Sequence, residues 1–148
     1  GGWELAKQKE KKRNSILDGV PKALPALTKA RRIQEKASGA GFDWDKIDPV
    51  YDKLYEEIDE LNLAIKENNQ QNIEEELGDV LFSIVNLSRH ININPEVALD
   101  KSILKFINRF QKLENHIKKE QLDLKKQSLS DLDKLWDKIK LKEKSNLK

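Results

Sequence analysis

Five stretches of this chain space their apolar residues at intervals of three and four, and no stretch alternates them convincingly at two. That period puts the apolar residues on one side of a helix and excludes a half-buried strand. The stripes are Leu24, Leu27, Ala30, Ile33 and Ala37; Val50, Leu54, Ile58, Leu61 and Ile65; Ile73, Leu77, Val80, Leu81, Ile84 and Leu87; Leu99, Ile103, Phe106, Phe110, Leu113 and Ile117; and the shorter Leu132, Leu135, Trp136 and Ile139. A stripe buries itself only against another, so the fold class is all-α: a bundle with short antiparallel connections.

Punctuation residues set the expected boundaries. Pro21 suits the first turn of the first helix, where its missing N–H costs nothing, and Ser38-Gly39-Ala40-Gly41 closes it. Phe42-Asp43-Trp44 is a short aromatic connector. The second helix is expected over 48–67 with Pro49 in its first turn, and Asn68 to Gln71 as the turn. The third runs over 72–91, Asn92 to Asn94 break it, and Pro95 opens the fourth. Ser128 or Ser130 caps a short last helix. The domain reading is a basic, flexible N-terminal segment over 1–20, an all-α domain over 21–143 and a tail over 144–148. With no Met and a Gly-Gly start, the chain reads as a fragment or a processed product.

At 148 residues one domain with a real core is expected. Charged residues (36%) nearly equal hydrophobic ones (37%), which suits helices that bury more surface against a second subunit. Without Cys there is no disulfide framework and no thiolate metal site. No apolar run approaches the ~20 residues of a membrane span, and no signal-peptide pattern opens the chain. A cytoplasmic protein without membrane partners is expected.

The net charge of +2 conceals three blocks. Residues 1–41 carry 10 basic and 4 acidic side chains, 42–79 carry 3 and 13, and 80–148 carry 15 and 9. Basic ends alone would suggest nucleic acid, but the acidic middle would repel phosphate unless a metal intervened. Nucleic acid is therefore an unlikely partner, and a metal-plus-phosphate site or mutual neutralisation fits better.

The acidic middle has a definite geometry. At about 100° per residue, Glu57 and Glu60 fall on one shoulder of the Leu54 stripe, with Glu56 further round. Glu76 and Asp79 form a similar shoulder pair beside Leu77. Two helices joined by a short turn pack antiparallel, so these shoulders can meet. Two readings stand: solvated helix surface, or four carboxylates around a hard cation, Mg²⁺ or Mn²⁺. A helical di-iron site would want Glu-x-x-His on two helices, and neither His90 nor His116 has that partner. On the fourth helix, Lys105, Arg109, Lys112 and His116 form a basic ridge. It either covers the helix shoulder with its stems or neutralises phosphate.

The sequences DGVPKALPAL at 18–27, RIQEKA at 32–37, GFDW at 41–44, EEIDE at 56–60, EEELGDVLFSIVNLSRH at 74–90 and KFINRF at 105–110, with the late Trp136, occur in this order. Together they resemble the MazG family of nucleoside triphosphate pyrophosphohydrolases, in particular the C-terminal catalytic domain of its two-domain bacterial members. The resemblance spans nearly the whole chain. It implies an all-α MazG-like bundle, a tight homodimer with a dimeric four-helix core per catalytic unit, and Mg²⁺-dependent cleavage of a nucleoside triphosphate to monophosphate and pyrophosphate. It assigns the metal to Glu57, Glu60, Glu76 and Asp79, and the nucleotide to Lys105, Arg109 and Trp136. Trp136 read from its stripe alone is equally a core anchor. The water's proton goes to Glu56 or to one of the metal-side carboxylates. Ile103 stands where the family commonly carries a polar residue, and Asn108-Arg109 replaces a dibasic pair. Those departures support the alternative of a non-catalytic regulatory or interaction module on the same fold.

Overall fold

The computed structural model describes residues 14–147. The expectation for the N-terminal segment falls largely on residues 1–13, outside the described part. Among the described residues the regular structure is entirely helical, and the chain forms two compact units, Gly1–Glu96 and Val97–Lys148.

The first unit holds α1 (Ala26–Gly39), α2 (Asp48–Glu67) and α3 (Gln70–His90). Helix α1 starts later than Pro21 suggested. Pro25 is its N-cap, with extended backbone (φ −53°, ψ 144°), and Pro25 O accepts the first helical bond from Lys29 N at 2.8 Å. A proline disfavours the α region for the residue before it, so the helix cannot run through Leu24-Pro25. Its end follows the expected glycines. Gly41 takes φ 95°, and Gly41 N and Phe42 N return to Ser38 O and Ala37 O. This paired closure satisfies carbonyls that the last turn leaves open.

Helix α2 occupies the expected Asp48–Glu67, with Pro49 in its first turn. Only two residues link it to α3. Asn68 adopts the left-handed conformation (φ 56°, ψ 36°) and Asn69 caps α3, its Oδ1 accepting from Asn72 N at 3.3 Å. Both tasks suit Asn, so α3 begins at Gln70 rather than Asn72. So tight a link makes α2 and α3 an antiparallel hairpin, with α1 also packed on α3.

Val50, Ala64, Val80 and Val85 are the buried apolar side chains of this unit. Val50 and Val85 are 1% exposed, each worth about 2 kcal/mol of transfer free energy. The buried Gln34 of α1 donates from Nε2 to Phe82 O at 2.9 Å, tying the helices together. One part of the α3 stripe is not covered: Leu77 and Leu81 are each 47% exposed and Ile84 is 43% exposed. The stripe is wider than α1 and α2 can cover.

The second unit comprises nearly all of α4 (Pro95–Lys119), a 3₁₀ turn at Leu124–Lys126 and α5 (Leu129–Asn146). Leu113 and Ile117 are its buried apolar residues. Ser128, not Ser130, caps α5, its Oγ accepting from Asp131 N at 3.1 Å. The last helix is longer than expected and runs into the 144–148 tail. No helix among the described residues is long and apolar enough to cross a membrane.

Candidate functional site

The α2–α3 hairpin brings three of the expected carboxylates together. One oxygen each from Glu57, Glu76 and Asp79 lies within 4.8 Å of the others. Glu57 is buried, Glu76 half-buried and Asp79 exposed, so the cluster lies on the edge of the core, as shoulder positions dictate. Glu60 is exposed and outside this group of three, although its charge acts on Glu76. Glu56 is also outside: its carboxylate lies 3.5 Å from Lys53 Nζ.

The electrostatics of the cluster are unbalanced. Burial pushes the Glu76 carboxyl above its ordinary value, and the charges of Asp79, Glu60, Glu57 and Glu75 push it further. Among the described residues one cation answers them: Lys53 Nζ sits 3.0 Å from Glu57 Oε1, and its own pKa is raised chiefly by that bond. Lys53 did not emerge from the stripe analysis. Its signal was the four-residue spacing to Glu57, which puts the two side chains one turn apart. Crowded carboxylates with all-oxygen donors match what a hard divalent cation requires.

A second ionic group organises the connector before α2. Asp43 accepts from Arg89 Nη1 and Nη2 at 2.8 Å each and from Ser38 Oγ at 2.7 Å, and His90 Nε2 lies 3.0 Å away. The Arg89 hydrogen bonds, foremost, hold the Asp43 carboxyl well below the usual carboxylate range. This bidentate pair fixes the Phe42-Asp43-Trp44 segment to the end of α3, leaving Phe42 exposed.

In the second unit, Lys105 is exposed on α4 and Arg109 is half-buried one turn on. Arg109 is not isolated: its Nε donates to Glu143 Oε2 of α5 at 2.9 Å, and Lys112 Nζ reaches Glu143 Oε1 at 3.2 Å. Arg109, foremost, draws the Glu143 carboxyl below its ordinary value. Glu143 was missed in the sequence, where a lone Glu in a lysine-rich helix looks like surface. Trp136 is half-buried, its ring centroid 5.2 Å from that of Phe106 at an interplanar angle of 42°. That packing gives it an anchoring contact whatever else the ring does.

Residues 48–118 match the family model of the MazG nucleotide pyrophosphohydrolase domain. The chain is 46% identical over 140 residues to the nucleoside triphosphate pyrophosphohydrolase/pyrophosphatase MazG of Thermotoga maritima, covering 93% of this chain and 54% of that protein. It is 39% identical over 146 residues to the nucleoside triphosphate pyrophosphohydrolase of Escherichia coli K12, covering 95% and 56%. An uncharacterized Bacillus subtilis protein, YabN, is 41% identical over 141 residues, covering 93% and 29%. The chain thus spans about half the length of the first two relatives, and the domain match takes in α2, α3 and most of α4. Helical architecture, domain match and likeness over more than nine-tenths of the chain agree: residues 48–118 form a MazG nucleotide pyrophosphohydrolase domain.

Proposed function

We propose that this chain hydrolyses nucleoside triphosphates between the α- and β-phosphates, giving a nucleoside monophosphate and pyrophosphate. The observation that carries this reading is the convergence of Glu57, Glu76 and Asp79 on one edge of the hairpin, with Lys53 beside Glu57. Glu60, one turn from Glu57, completes the proposed ligand set. Oxygen donors of this kind suit Mg²⁺, with Mn²⁺ as a substitute. Such an ion, when bound, supplies neutralisation of phosphate charge and a more acidic water.

The chain's own groups do the rest. Lys105 and Arg109 bind phosphate oxygens and offset charge on the departing pyrophosphate. Glu56 or a carboxylate of the cluster accepts the proton of the attacking water. Trp136 offers a π-face to the base. The relatives' names, nucleoside triphosphate pyrophosphohydrolase, support this substrate class. The working form is a homodimer, in which a second copy covers Leu77, Leu81 and Ile84.

Phosphorus NMR of the protein with a nucleoside triphosphate, with and without Mg²⁺, tests the reaction. Monophosphate and pyrophosphate, formed only with the metal, are expected. Diphosphate and orthophosphate, or no turnover, would refute it. Sedimentation equilibrium reads the dimer; a monomer at tens of micromolar would remove that part.

A further inference from the structure

We propose that Glu143 is a positioning residue: it holds the Arg109 guanidinium so that its two terminal nitrogens are presented to the phosphates of the substrate. The inference rests on the assignment of Arg109 to phosphate binding.

Lys101, Lys105, Asn108 and Lys112 recur at helical spacing along α4 and, with Leu104 and Glu143, line a groove of about 420 Å³. Arg109 adjoins it through Glu143. Glu143 is the one carboxylate lining this groove, and it pairs with two cations, Arg109 and Lys112. Its two oxygens are divided between Arg109 Nε and Lys112 Nζ. Among the described residues, Lys101 and Lys105 make no ion pair, so the groove stays positive after Glu143 is satisfied.

The atom that Glu143 engages decides its role. Nε is the guanidinium nitrogen nearest the stem. A bond there fixes the plane of the group and leaves the Nη nitrogens, with four N–H donors, pointing away. Neither Nη has a protein partner among the described residues. A carboxylate that competed with phosphate would take the Nη fork, the bidentate position. Both partners are half-buried, at 19% and 26% side-chain exposure. The lowered pKa of Glu143 keeps it ionised at neutral pH.

Two other roles predict different behaviour. If Glu143 only ties α5 to α4, its loss lowers stability but not phosphate affinity in the folded protein. If it only subtracts charge, its loss makes the groove more positive and tightens phosphate binding. Positioning predicts weaker binding despite the gain in positive charge.

The test uses the full chain and inorganic tripolyphosphate as the probe, with affinity measured by calorimetry at fixed ionic strength, well below the melting temperature. The variants are Glu143→Ala, Glu143→Gln, Arg109→Ala and the double Arg109→Ala/Glu143→Ala; nucleoside triphosphate turnover is followed in parallel. Glu143→Ala should weaken binding about tenfold, the scale of one charge-assisted hydrogen bond. Glu143→Gln, whose amide oxygen still accepts from Nε, should recover most of that loss. The double variant should bind no more weakly than Arg109→Ala alone. Unchanged or tighter binding in Glu143→Ala, or losses that multiply in the double variant, would overturn the inference while leaving the proposed function standing. Wild-type affinity in Arg109→Ala would remove both the phosphate role of Arg109 and this inference. Normal tripolyphosphate binding with this pattern of variants but no hydrolysis would support the inference and refute the proposed reaction.

Discussion

The acidic α2–α3 hairpin and the basic α4–α5 pair treat the same residue type in opposite ways. Glu76, half-buried among Asp79, Glu60 and Glu57, has its pKa raised by burial and by those charges. Glu143, between Arg109 and Lys112, has its pKa lowered. The basic pair carries its own counter-charge, whereas the hairpin crowds like charges and, among the described residues, sets only Lys53 against the cluster. A fold gains nothing from uncompensated carboxylates at the edge of its core. Under the proposed function, the hairpin would take its missing cation from outside and the basic pair would receive an anion.

The largest effect should come from the hairpin. Asp79→Asn and Glu76→Gln each remove one anionic oxygen at nearly constant size. Turnover should fall by about a hundredfold or more, since even residues behind metal ligands cost about tenfold to a hundredfold. Circular dichroism should show the helices unchanged. Retained turnover in both variants would place the chemistry elsewhere and break the contrast between the two regions.

How far the site could be read from the sequence follows from the same contrast. The hairpin was legible because its logic is local: a stripe gives a shoulder, and a short turn between two stripes brings two shoulders together. That geometry placed Glu57, Glu76 and Asp79 on facing shoulders, and their carboxylates do lie together. Register still mattered, and Glu60, on the same shoulder as Glu57, is not in the group of three. The Arg109–Glu143 pair was not legible because its partners lie 34 residues apart, and nothing local in α5 distinguishes Glu143 from its neighbours. The α1 boundary was misplaced because Pro21 and Pro25 are both plausible first-turn residues, and only the second leaves the helix uninterrupted. The full α3 stripe was identified, but α1 and α2 cover only part of it.

Next in size is Trp136, the largest side chain of the basic pair. Trp136→Ala removes a half-buried ring packed on Phe106 and should cost about 3 kcal/mol, the lower end for such truncations. Chemical denaturation reads that loss. If the ring also stacks the base, nucleotide affinity should drop by a further ~1–3 kcal/mol while tripolyphosphate affinity holds. Equal losses for both ligands would leave Trp136 as an anchor only. The helix caps come after it. Ser128→Ala and Asn69→Ala each remove one side-chain bond to a first-turn N–H, at 3.1 Å and 3.3 Å, and each should cost about 1 kcal/mol. The first should loosen the basic pair and weaken tripolyphosphate binding; the second should loosen only the hairpin. The reverse assignment by hydrogen exchange would show that the two units do not behave separately.

The smallest effect is on pH dependence, and it tests the contrast in its own terms. A carboxyl with a raised folded pKa, such as Glu76, gives its full stability below its ordinary value of 4.5 and loses it as pH rises through the folded value. In that window the unfolded chain has released the proton and the folded one still holds it, so ionising Glu76 costs the folded state. Glu143 has the opposite sign: its contribution is complete above its ordinary value and is lost as pH falls through the lowered one. In metal-free protein, wild type minus Glu76→Gln should therefore show stability declining as pH rises from 4.5. Wild type minus Glu143→Gln should show stability declining as pH falls below that value. Saturating Mg²⁺ should abolish the first slope, because a bound cation favours the ionised carboxylates, and leave the second in place. Urea titrations of the three proteins across this range supply both differences. A Glu76 difference of the same sign as that of Glu143 would mean that the hairpin carboxylates are already compensated within the chain and have no need of a cation.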